Sequence, residues 1–301
     1  MQQSTIARRV RCDGIGLHDG EPVSLTLAPG APGTGRVFVV PGASPGVDPV
    51  EIPARPDALA PSSRATVLVS GRAGDRVSVG TVEHLLATLV AFGIDNVRIE
   101  LGGREVPAMD GSAAPFVELL ERAGRRAQAA SRRILRLEAP IEIRDGERSI
   151  RVEPAPRFSV RYGIDFPHPC IGRQVFELDR LDAERFAREL APARTFGFVS
   201  ELEGLGRAGL ARGGSLENAI VLDETRVLNA GPLRWADEFV RHKVLDLIGD
   251  LALLGAVLEA RVEVERGGHA LHHRLVHALA GSMSSEAGHA VDATGSLGRL
   301  A

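Results

Sequence analysis

The sequence predicts an α+β protein with two similar domains, and three observations support this fold class. The chain has 301 residues, of which 44% are hydrophobic, so it can bury more than one domain core. In each half, a series of short strand patterns comes before the long helical patterns, instead of alternating with them. Each half also ends in the order helix, strand, helix, which indicates two related units.

The first half begins with strands and then changes to a helical period. Residues 23–27 alternate apolar and polar side chains, and residues 36–40 are rich in valine; both are strand patterns. Residues 81–92, TVEHLLATLVAF, predict a helix with Thr81 as its N-cap and Gly93 just after its last turn.

A further strand and helix complete the predicted N-terminal domain, which we place at residues 1–126. The strand covers 96–101, and the helix runs from a Ser112 cap toward a glycine. Residues 125–133, RRAQAASRR, have no apolar period and are predicted to link the domains.

The C-terminal domain is predicted at residues 132–281. It begins with four strand patterns and continues with a helix, a strand and a second helix. The strands are predicted at 134–137, 141–144, 149–152 and 159–164, followed by a helix at 236–258, a strand at 260–265 and a helix at 269–280. A glycine-rich insert occupies 191–223, and residues 282–301 are expected to form a mobile tail because they are small, polar and aperiodic.

The helix predicted at 236–258 has two distinct faces. Leucine and valine recur at steps of three and four, which makes a stripe that packs into a core. On another face, His242, Asp246 and Asp250 follow one another at steps of four. A His and an Asp at this spacing can bind one divalent metal ion, although such pairs also occur on solvated or salt-bridged helix faces.

A metal site needs a third ligand, and His84 is the best candidate. It follows Glu83 in the other helix that carries an adjacent acid and imidazole. Because helical neighbours point about 100° apart, His84 could bind the metal while Glu83 acts as a general base. The alternative is that Glu83 interacts with the helix dipole and that His84 is an ordinary core residue.

Four histidines lie close together in GGHALHHRLVH, at positions 269, 272, 273 and 277. His269 follows two glycines at a helix start, so it is the one expected in a cleft, while the other three fit an exposed helix face. The chain contains no HExxH, GxSxG, GxxxxGK[ST] or GxGxxG motif, which argues against zincins, serine hydrolases, P-loop proteins and dinucleotide-binding proteins.

Composition indicates which partners the protein can bind and in which cell compartment it works. A net charge of −3 gives no general attraction to nucleic acid. Cys12 and Cys170 stand far apart outside any CxxC motif, which favours a reducing cytoplasm over a disulfide framework. No segment resembles a signal peptide or a membrane span. Lys243 is the only lysine among 36 basic residues, which suggests a specific need for an ammonium group there.

Eight segments together make the chain similar to the zinc-dependent UDP-3-O-acyl-N-acetylglucosamine deacetylases of lipid A biosynthesis in Gram-negative bacteria. They stand in the order found in that family and extend over most of the sequence. The segments are GIGLHDG (14–20), TVEHLLATLVAFGIDN (81–96), EVPAMDGSAAPF (105–116), IDFPHP (164–169), ARTFGF (193–198), GGSLENAIV (213–221), RWADEFVRHKVLDLIGDLALLG (234–255) and GGHALHH (267–273).

This resemblance implies a reaction and a set of metal ligands. The reaction is hydrolysis of the substrate's acetamide to a free 2-amine and acetate, the committed step of lipid A biosynthesis. His84, His242 and Asp246 would ligate Zn²⁺ and leave one position open, as a catalytic site requires. Whether Fe²⁺ can replace Zn²⁺ stays open. The resemblance also implies helices between two sheets, with the active site at the domain interface.

The remaining catalytic roles are also implied by the resemblance. Glu83 would remove a proton from the attacking water, and Thr195 would help to stabilise the oxyanion. His269, oriented by Asp250, would support the developing charge or protonate the leaving amine. The alternative that Glu83 performs both proton transfers stays open.

The substrate would be an acylated UDP-amino sugar. Lys243 is expected at its diphosphate, and Phe166 and Arg266 near its phosphate, sugar or uracil. Small and apolar residues of the insert would line a passage for the acyl chain, namely Phe196, Phe198, Val199, Leu205, Ala211, Gly214, Ser215 and Ala219. The expected protein is a cytoplasmic monomer that binds no nucleic acid and spans no membrane, with transient contact at a membrane surface.

Two competing hypotheses remain at this stage. One is a non-catalytic protein of the same fold that binds acyl chains or nucleotide sugars and lacks the metal. The presence of all three ligands and the base weighs against it. The other is a metal hydrolase that acts on a different amide.

Overall fold

The computed structural model describes residues 1–44, 46–71 and 76–292, with residues 283–292 described by backbone only. The N-terminal half contains β1 (Gln2–Ile6), β2 (Val10–Ile15), β3 (Pro22–Pro29), β4 (Arg36–Val40), β5 (Val50–Pro53), β6 (Leu68–Ser70), β7 (Val77–Val79), α1 (Glu83–Ala91), β8 (Val97–Leu101), α2 (Ala114–Ala123) and β9 (Arg125–Ser131).

The C-terminal half contains β10 (Ile134–Arg136), β11 (Ile141–Asp145), β12 (Arg148–Pro154), β13 (Ser159–Phe166), β14 (Gly172–Leu178), α3 (Ala183–Arg185), β15 (Phe196–Phe198), α4 (Val199–Arg207), β16 (Ile220–Leu222), α5 (Glu238–Leu251), β17 (Val257–Glu265) and α6 (His269–Asp292). Short 3₁₀ turns lie at Pro56–Ala58 and Ala252–Leu254, and a π-helical turn lies at Phe186–Leu190.

The two main sheets share one topology, which confirms the prediction of two similar α+β domains. The N-terminal sheet has the order β2-β3-β8-β4-β5, and the path of the C-terminal sheet is β11-β12-β17-β13-β14. In both sheets the central strand follows a helix and has an antiparallel neighbour on one side and a parallel neighbour on the other. The similarity lies in strand order and direction, so it is visible in the fold without a sequence repeat.

The helices pack between the sheets, as the predicted fold class requires. Helix α5 contacts α1 on one side and β13 and β14 on another, α2 packs on β2, and α6 packs on β11 and β12. Buried residues of both halves form one apolar cluster. Residues from the N-terminal α1 and from the C-terminal α5 therefore meet at the domain interface.

Gly249 permits the close approach of α5 to α1. A Cβ atom at this position would lie 2.1 Å from the backbone carbonyl oxygen of Glu83, far inside van der Waals contact. Glycine is therefore required where the last turn of α5 meets the start of α1. This contact sets the position of Glu83 and His84 relative to α5.

Three predicted elements need correction. Residues 125–131 are not a linker: they form β9, which pairs antiparallel with β1, because main-chain pairing to an edge does not require an apolar pattern. Helix α5 ends at Leu251, earlier than predicted, and the chain turns at Gly255 in the left-handed conformation before β17. Helix α6 runs past residue 280 to Asp292.

The expectation of a mobile tail concerns residues 282–301, of which 293–301 lie outside the described part of the chain. Across the described residues, no helix has both the length and the apolar character needed to cross a membrane.

Candidate metal centre

The start of α1 is held by a buried carboxylate instead of the predicted Thr81 cap. Thr81 has a positive φ of 55°, and its hydroxyl donates to Glu105 Oε1 at 2.5 Å. The N-cap residue is Val82, without a side-chain capping bond. Glu105 also accepts the backbone N–H groups of His18 and Asp19. This carboxylate therefore ties three segments together just before Glu83 and His84.

His84, His242 and Asp246 converge in the buried space between α1 and α5. His84 Nε2 lies 3.6 Å from Asp246 Oδ1, and His242 Nε2 lies 3.3 Å from the same oxygen. The two imidazole rings stand edge to face with centroids 4.9 Å apart. The three predicted ligands are therefore within reach of one ion.

One atom of this group shows that the residues fit a cation. Asp246 Oδ1 is buried without a hydrogen-bond partner, the only such side-chain atom found in the described part of the chain. A buried oxygen of this kind is costly unless a proton donor or a metal satisfies it. Meanwhile, His242 Nδ1 lies 3.0 Å from the carbonyl oxygen of Ala193, so Nδ1 can donate and Nε2 keeps its lone pair for a metal.

Electrostatics favour the protonation states that metal ligands need. Burial lowers the pKa of His242 to about 3, so its imidazole is neutral near pH 7. Burial alone would raise the pKa of Asp246, but the Lys243 ammonium 2.7 Å away opposes that effect, and the pKa lies well below its usual range. The site therefore offers neutral imidazole and ionised carboxylate.

Glu83 lies beside the ligand group and is oriented by the chain. Its Oε2 accepts the backbone N–H of Thr66 at 3.1 Å, while Oε1 lies 3.6 Å from His269 Nε2. Burial raises the pKa of Glu83, partly opposed by His269 and His84. A carboxylate with a raised pKa is a stronger base than one in water.

His269 reaches the same space from the start of α6. Its Nδ1 lies 2.8 Å from Asp250 Oδ2, and its Nε2 lies 3.7 Å from Asp246 Oδ2. Burial would lower the pKa of His269, but Asp250 outweighs it and raises the pKa to about 9. The predicted pairing of His269 with Asp250 is thus present.

The sequence did not reveal the network around Asp250. Thr66 Oγ1 donates to Asp250 Oδ1, and His272 Nδ1 lies 2.8 Å from Asp250 Oδ2. Tyr162 bonds the other ring nitrogen of His272 at 2.9 Å. The prediction that residues 272 and 273 lie on an exposed helix face was wrong, because both histidines are buried. Because His272 and His273 are adjacent and both buried, they do not follow the alternation of an amphipathic helix. Their spacing therefore could not show that they are buried.

Comparisons with known proteins agree with this arrangement. A family model described as LpxC, UDP-3-O-acyl N-acetylglycosamine deacetylase, matches residues 3–281. A protein of Myxococcus xanthus (strain DK1622) is 49% identical over 274 residues, which is 91% of this chain and 85% of the relative. The chain belongs to this deacetylase family.

Two further relatives have the same printed name, UDP-3-O-acyl-N-acetylglucosamine deacetylase. The protein of Anaeromyxobacter sp. (strain Fw109-5) is 48% identical over 91% of this chain and 87% of its own length. That of Nitratidesulfovibrio vulgaris (strain Hildenborough) is 47% identical over 93% of this chain and 88% of its own length. The similarity to deacetylases therefore extends over both domains.

Lys243 makes a contact that was not predicted for this member of the deacetylase family. Its side chain is expected at the diphosphate of the substrate. In the structure Nζ donates to Asp246 Oδ2 at 2.7 Å, since a step of three residues brings both to one helix face. The ammonium also lies 5.4 Å from the ring centroid of Phe196. Lys243 thus contacts Asp246, a predicted metal ligand, and lies near Phe196, the first of the residues predicted to line the acyl passage.

Aromatic residues border the metal centre of this deacetylase. The ring centroids of Phe166 and Phe196 lie 5.6 Å apart, and that of Phe198 lies 5.9 Å from Phe166. Thr195, just before Phe196, is half-buried, and its main chain bonds Gly111 and Ile220. The predicted site residues 166, 195, 196 and 198 are therefore contributed by neighbouring segments.

The glycine-rich insert contains β15, α4 and β16, and its second part is held by the GIGLHDG loop. The main-chain carbonyls of Leu17 and His18 accept the N–H groups of Gly213 and Arg212. The side chains exposed here include apolar ones that the sequence did not single out, Leu202 and Leu216, beside the predicted Val199. Of the other predicted lining residues, Leu205, Ala211 and Ala219 are half-buried, while Gly214 and Ser215 are exposed.

Arg266 stands at the end of β17, near the predicted sugar and phosphate region. Its guanidinium pairs with Asp165, at 2.6 Å, and with Glu147. An anionic substrate group would have to compete with these two carboxylates.

Proposed function

We propose that this chain hydrolyses the acetamide of a UDP-3-O-acyl-N-acetylglucosamine, giving the free 2-amine and acetate in lipid A biosynthesis. Family membership over residues 3–281 supports the class of reaction. The observation that carries the proposal is the unpartnered Asp246 Oδ1 between two imidazole nitrogens, with Glu83 beside them. This combination of three ligands and a base is what metal-assisted amide hydrolysis requires.

The metal that suits this ligand set is zinc. Two imidazoles and one carboxylate match catalytic zinc sites, which keep a further position for water or substrate. Zinc bound by His84, His242 and Asp246 would polarise the acetamide carbonyl and lower the pKa of a water molecule. Fe²⁺ accepts similar ligands and stays an alternative.

Proton transfers fall to Glu83 and His269. Glu83 takes the proton of the attacking water, and its orientation by the Thr66 N–H keeps Oε1 directed toward the ligand group. His269, whose pKa is raised to about 9, is protonated near neutral pH and can stabilise the tetrahedral oxyanion or give a proton to the leaving amine. Thr195 supplies a hydroxyl donor for the same oxyanion.

Residues around the metal ligands would recognise the substrate. Lys243 uses one of its three N–H donors on Asp246, which leaves donors for the diphosphate. Arg266 and Phe166 would hold the phosphate, sugar or uracil. The insert residues 196, 198, 199, 205, 211, 214, 215 and 219 would line the acyl passage. We further propose that the enzyme is a cytoplasmic monomer whose exposed insert side chains contact the membrane surface transiently.

The test is a deacetylase assay on the purified chain with UDP-3-O-acyl-N-acetylglucosamine, together with its metal content. We expect zinc close to one ion per chain and activity that a chelator removes and added zinc restores. Shortening the acyl chain should lower kcat/KM, because each buried methylene contributes about 0.8 kcal/mol. A chain that binds the substrate but neither holds metal nor releases acetate would support the non-catalytic alternative. Activity that is indifferent to the UDP and acyl groups would indicate another amide substrate.

A further inference from the structure

A cavity of about 650 Å³ opens between the two domains at the C-terminal end of α5. This volume lies within the range of small-ligand sites. Of the described residues that line it, none is a metal ligand or Glu83. The α5 residues that line it, Ile248 and Leu251, follow the predicted ligand Asp246 toward the C-terminal end of the helix. The cavity is therefore distinct from the metal centre.

The inner surface of the cavity is mainly aliphatic. Phe158 is the only aromatic side chain among the described residues that line it. A nucleobase would normally be bound by stacking on aromatic rings, whereas a hydrocarbon chain needs only a dry aliphatic surface. The aliphatic lining includes Val90, Ile248, Leu251, Leu253, Leu254 and Leu258.

Cationic groups outnumber acidic ones around this lining. Three acidic residues contribute to it, Asp57, Asp95 and Glu259. The arginines that contribute are Arg36, Arg55, Arg132, Arg133, Arg157 and Arg180. Arginine binds carboxylate and phosphate groups through a planar pair of donors, so this set favours an anion.

Arg36 adds a buried cation to the set. Its side chain donates to the carbonyl oxygens of Ile94, at 3.0 Å, and Ala252, at 3.3 Å, one from each domain. Asp95 is the carboxylate whose charge acts on Arg36, but Asp95 itself forms an ion pair with Arg132 at 2.8 Å. Within the described part of the chain, Arg36, Arg55 and Arg133 make no ion pair within 4.0 Å. The charges of the exposed Arg55 and Arg133 are therefore available to a ligand.

We infer that this cavity binds a single-chain amphiphile with an anionic head group. The hydrocarbon chain lies on the aliphatic surface between the domains, and the head group meets the arginines. Because α5 contributes to both sites, the ligand would contact the same helix that carries His242 and Asp246.

The experiment measures dodecanoate binding to the metal-loaded full-length chain by calorimetry, below the concentration at which dodecanoate forms micelles. We expect two saturable sites, one in the acyl passage and one in the cavity. Ala256→Trp, which places a large side chain in the cavity wall, should remove one site while deacetylase activity is retained. Dodecyltrimethylammonium, which has the same chain and a cationic head group, should not bind the cavity.

Charge reversal at the exposed Arg55 and Arg133 provides a variant that does not disturb the core. The double variant Arg55→Glu and Arg133→Glu should weaken the cavity site by about tenfold or more, since hydrogen bonds to charged groups are the strong ones. Arg148→Glu, exposed and outside the cavity, should have no effect. Unchanged stoichiometry in Ala256→Trp, equal binding of both amphiphiles, or a dimer that Ala256→Trp abolishes would overturn the inference.

Discussion

Two neighbouring groups of histidine and aspartate in this protein have the composition of a metal site, but they differ in how their oxygens are satisfied. In the ligand group, Asp246 Oδ1 faces two imidazole nitrogens and has no hydrogen-bond partner. In the group around Asp250, the carboxylate accepts from Thr66 and contacts the Nδ1 atoms of His269 and His272. The first group is open to a cation, and the second is closed by its own protons.

This difference shows that residue types and spacing are insufficient to identify a metal site. In each group the candidate ligand atoms lie within 4.8 Å of one another, and all six residues are buried. What separates them is whether the carboxylate retains an unused lone pair. The closed group can instead fix the ring of His269, because a carboxylate at Nδ1 determines the orientation of Nε2.

The largest expected effect is the loss of metal on changing Asp246. Asp246→Asn removes the charge at which both imidazoles converge, so zinc affinity should fall by more than the roughly 10- to 100-fold typical of outer supporting groups. Asp250→Asn should leave zinc bound while lowering kcat. Metal content after dialysis against a weak chelator distinguishes the two, with circular dichroism as the folding control. Zinc lost from Asp250→Asn and kept by Asp246→Asn would reverse the assignment.

Glu83→Gln should separate chemistry from metal binding. The amide keeps the size of the side chain but cannot accept the proton of water, so kcat should fall by about 10²- to 10⁴-fold while zinc content stays unchanged. Glu118→Gln, on the exposed face of α2, is the matched control and should leave both quantities unaltered. Loss of zinc along with activity would make Glu83 a ligand or a support for one.

Gly249→Ala tests whether the close contact between α5 and α1 determines the geometry of His84, His242 and Asp246. The added methyl would meet the Glu83 carbonyl, so α1 must shift; the free energy of unfolding should fall by about 1 to 3 kcal/mol. The shift also moves His84, so activity should fall further than stability alone explains. Gly281→Ala, a helical glycine with nothing within 4 Å of the added carbon, should be neutral or slightly stabilising. Equal activity in the two variants would contradict this role of Gly249.

Much of this arrangement was predictable from the sequence because local periodicity determines which side chains share a helix face. His242, Asp246 and Asp250 are separated by one helical turn, and the structure places all three on α5 as expected. The two-domain α+β class was likewise visible in the order of strand and helix patterns. The pairing of His84 with them was inferred from chemistry and is present in the structure.

The features that were missed depend on contacts between distant segments. Thr66 reaches Asp250 and Glu83 from a loop with no motif of its own. Tyr162 reaches His272 from strand β13 of the same domain, more than 100 residues earlier in the chain. The hydrogen bond from Lys243 to Asp246, one turn away, was not predicted, because the charge of Lys243 was assigned to the substrate alone. Nothing in a single sequence records such pairings.

The smallest effect is expected from a change at Tyr162, which bonds His272 in the group around Asp250. Tyr162→Phe removes the hydroxyl that bonds His272 Nε2 and leaves that buried nitrogen without its partner, which should cost about 1 to 3 kcal/mol of stability. Zinc content should not change, because Asp246 and its two imidazoles are untouched, and kcat should fall only slightly, since Asp250 still holds His269. Thermal unfolding of the zinc-loaded protein measures the first quantity and steady-state kinetics the last. A loss of zinc in this variant would show that the two groups are coupled and that the satisfied carboxylate supports the open one.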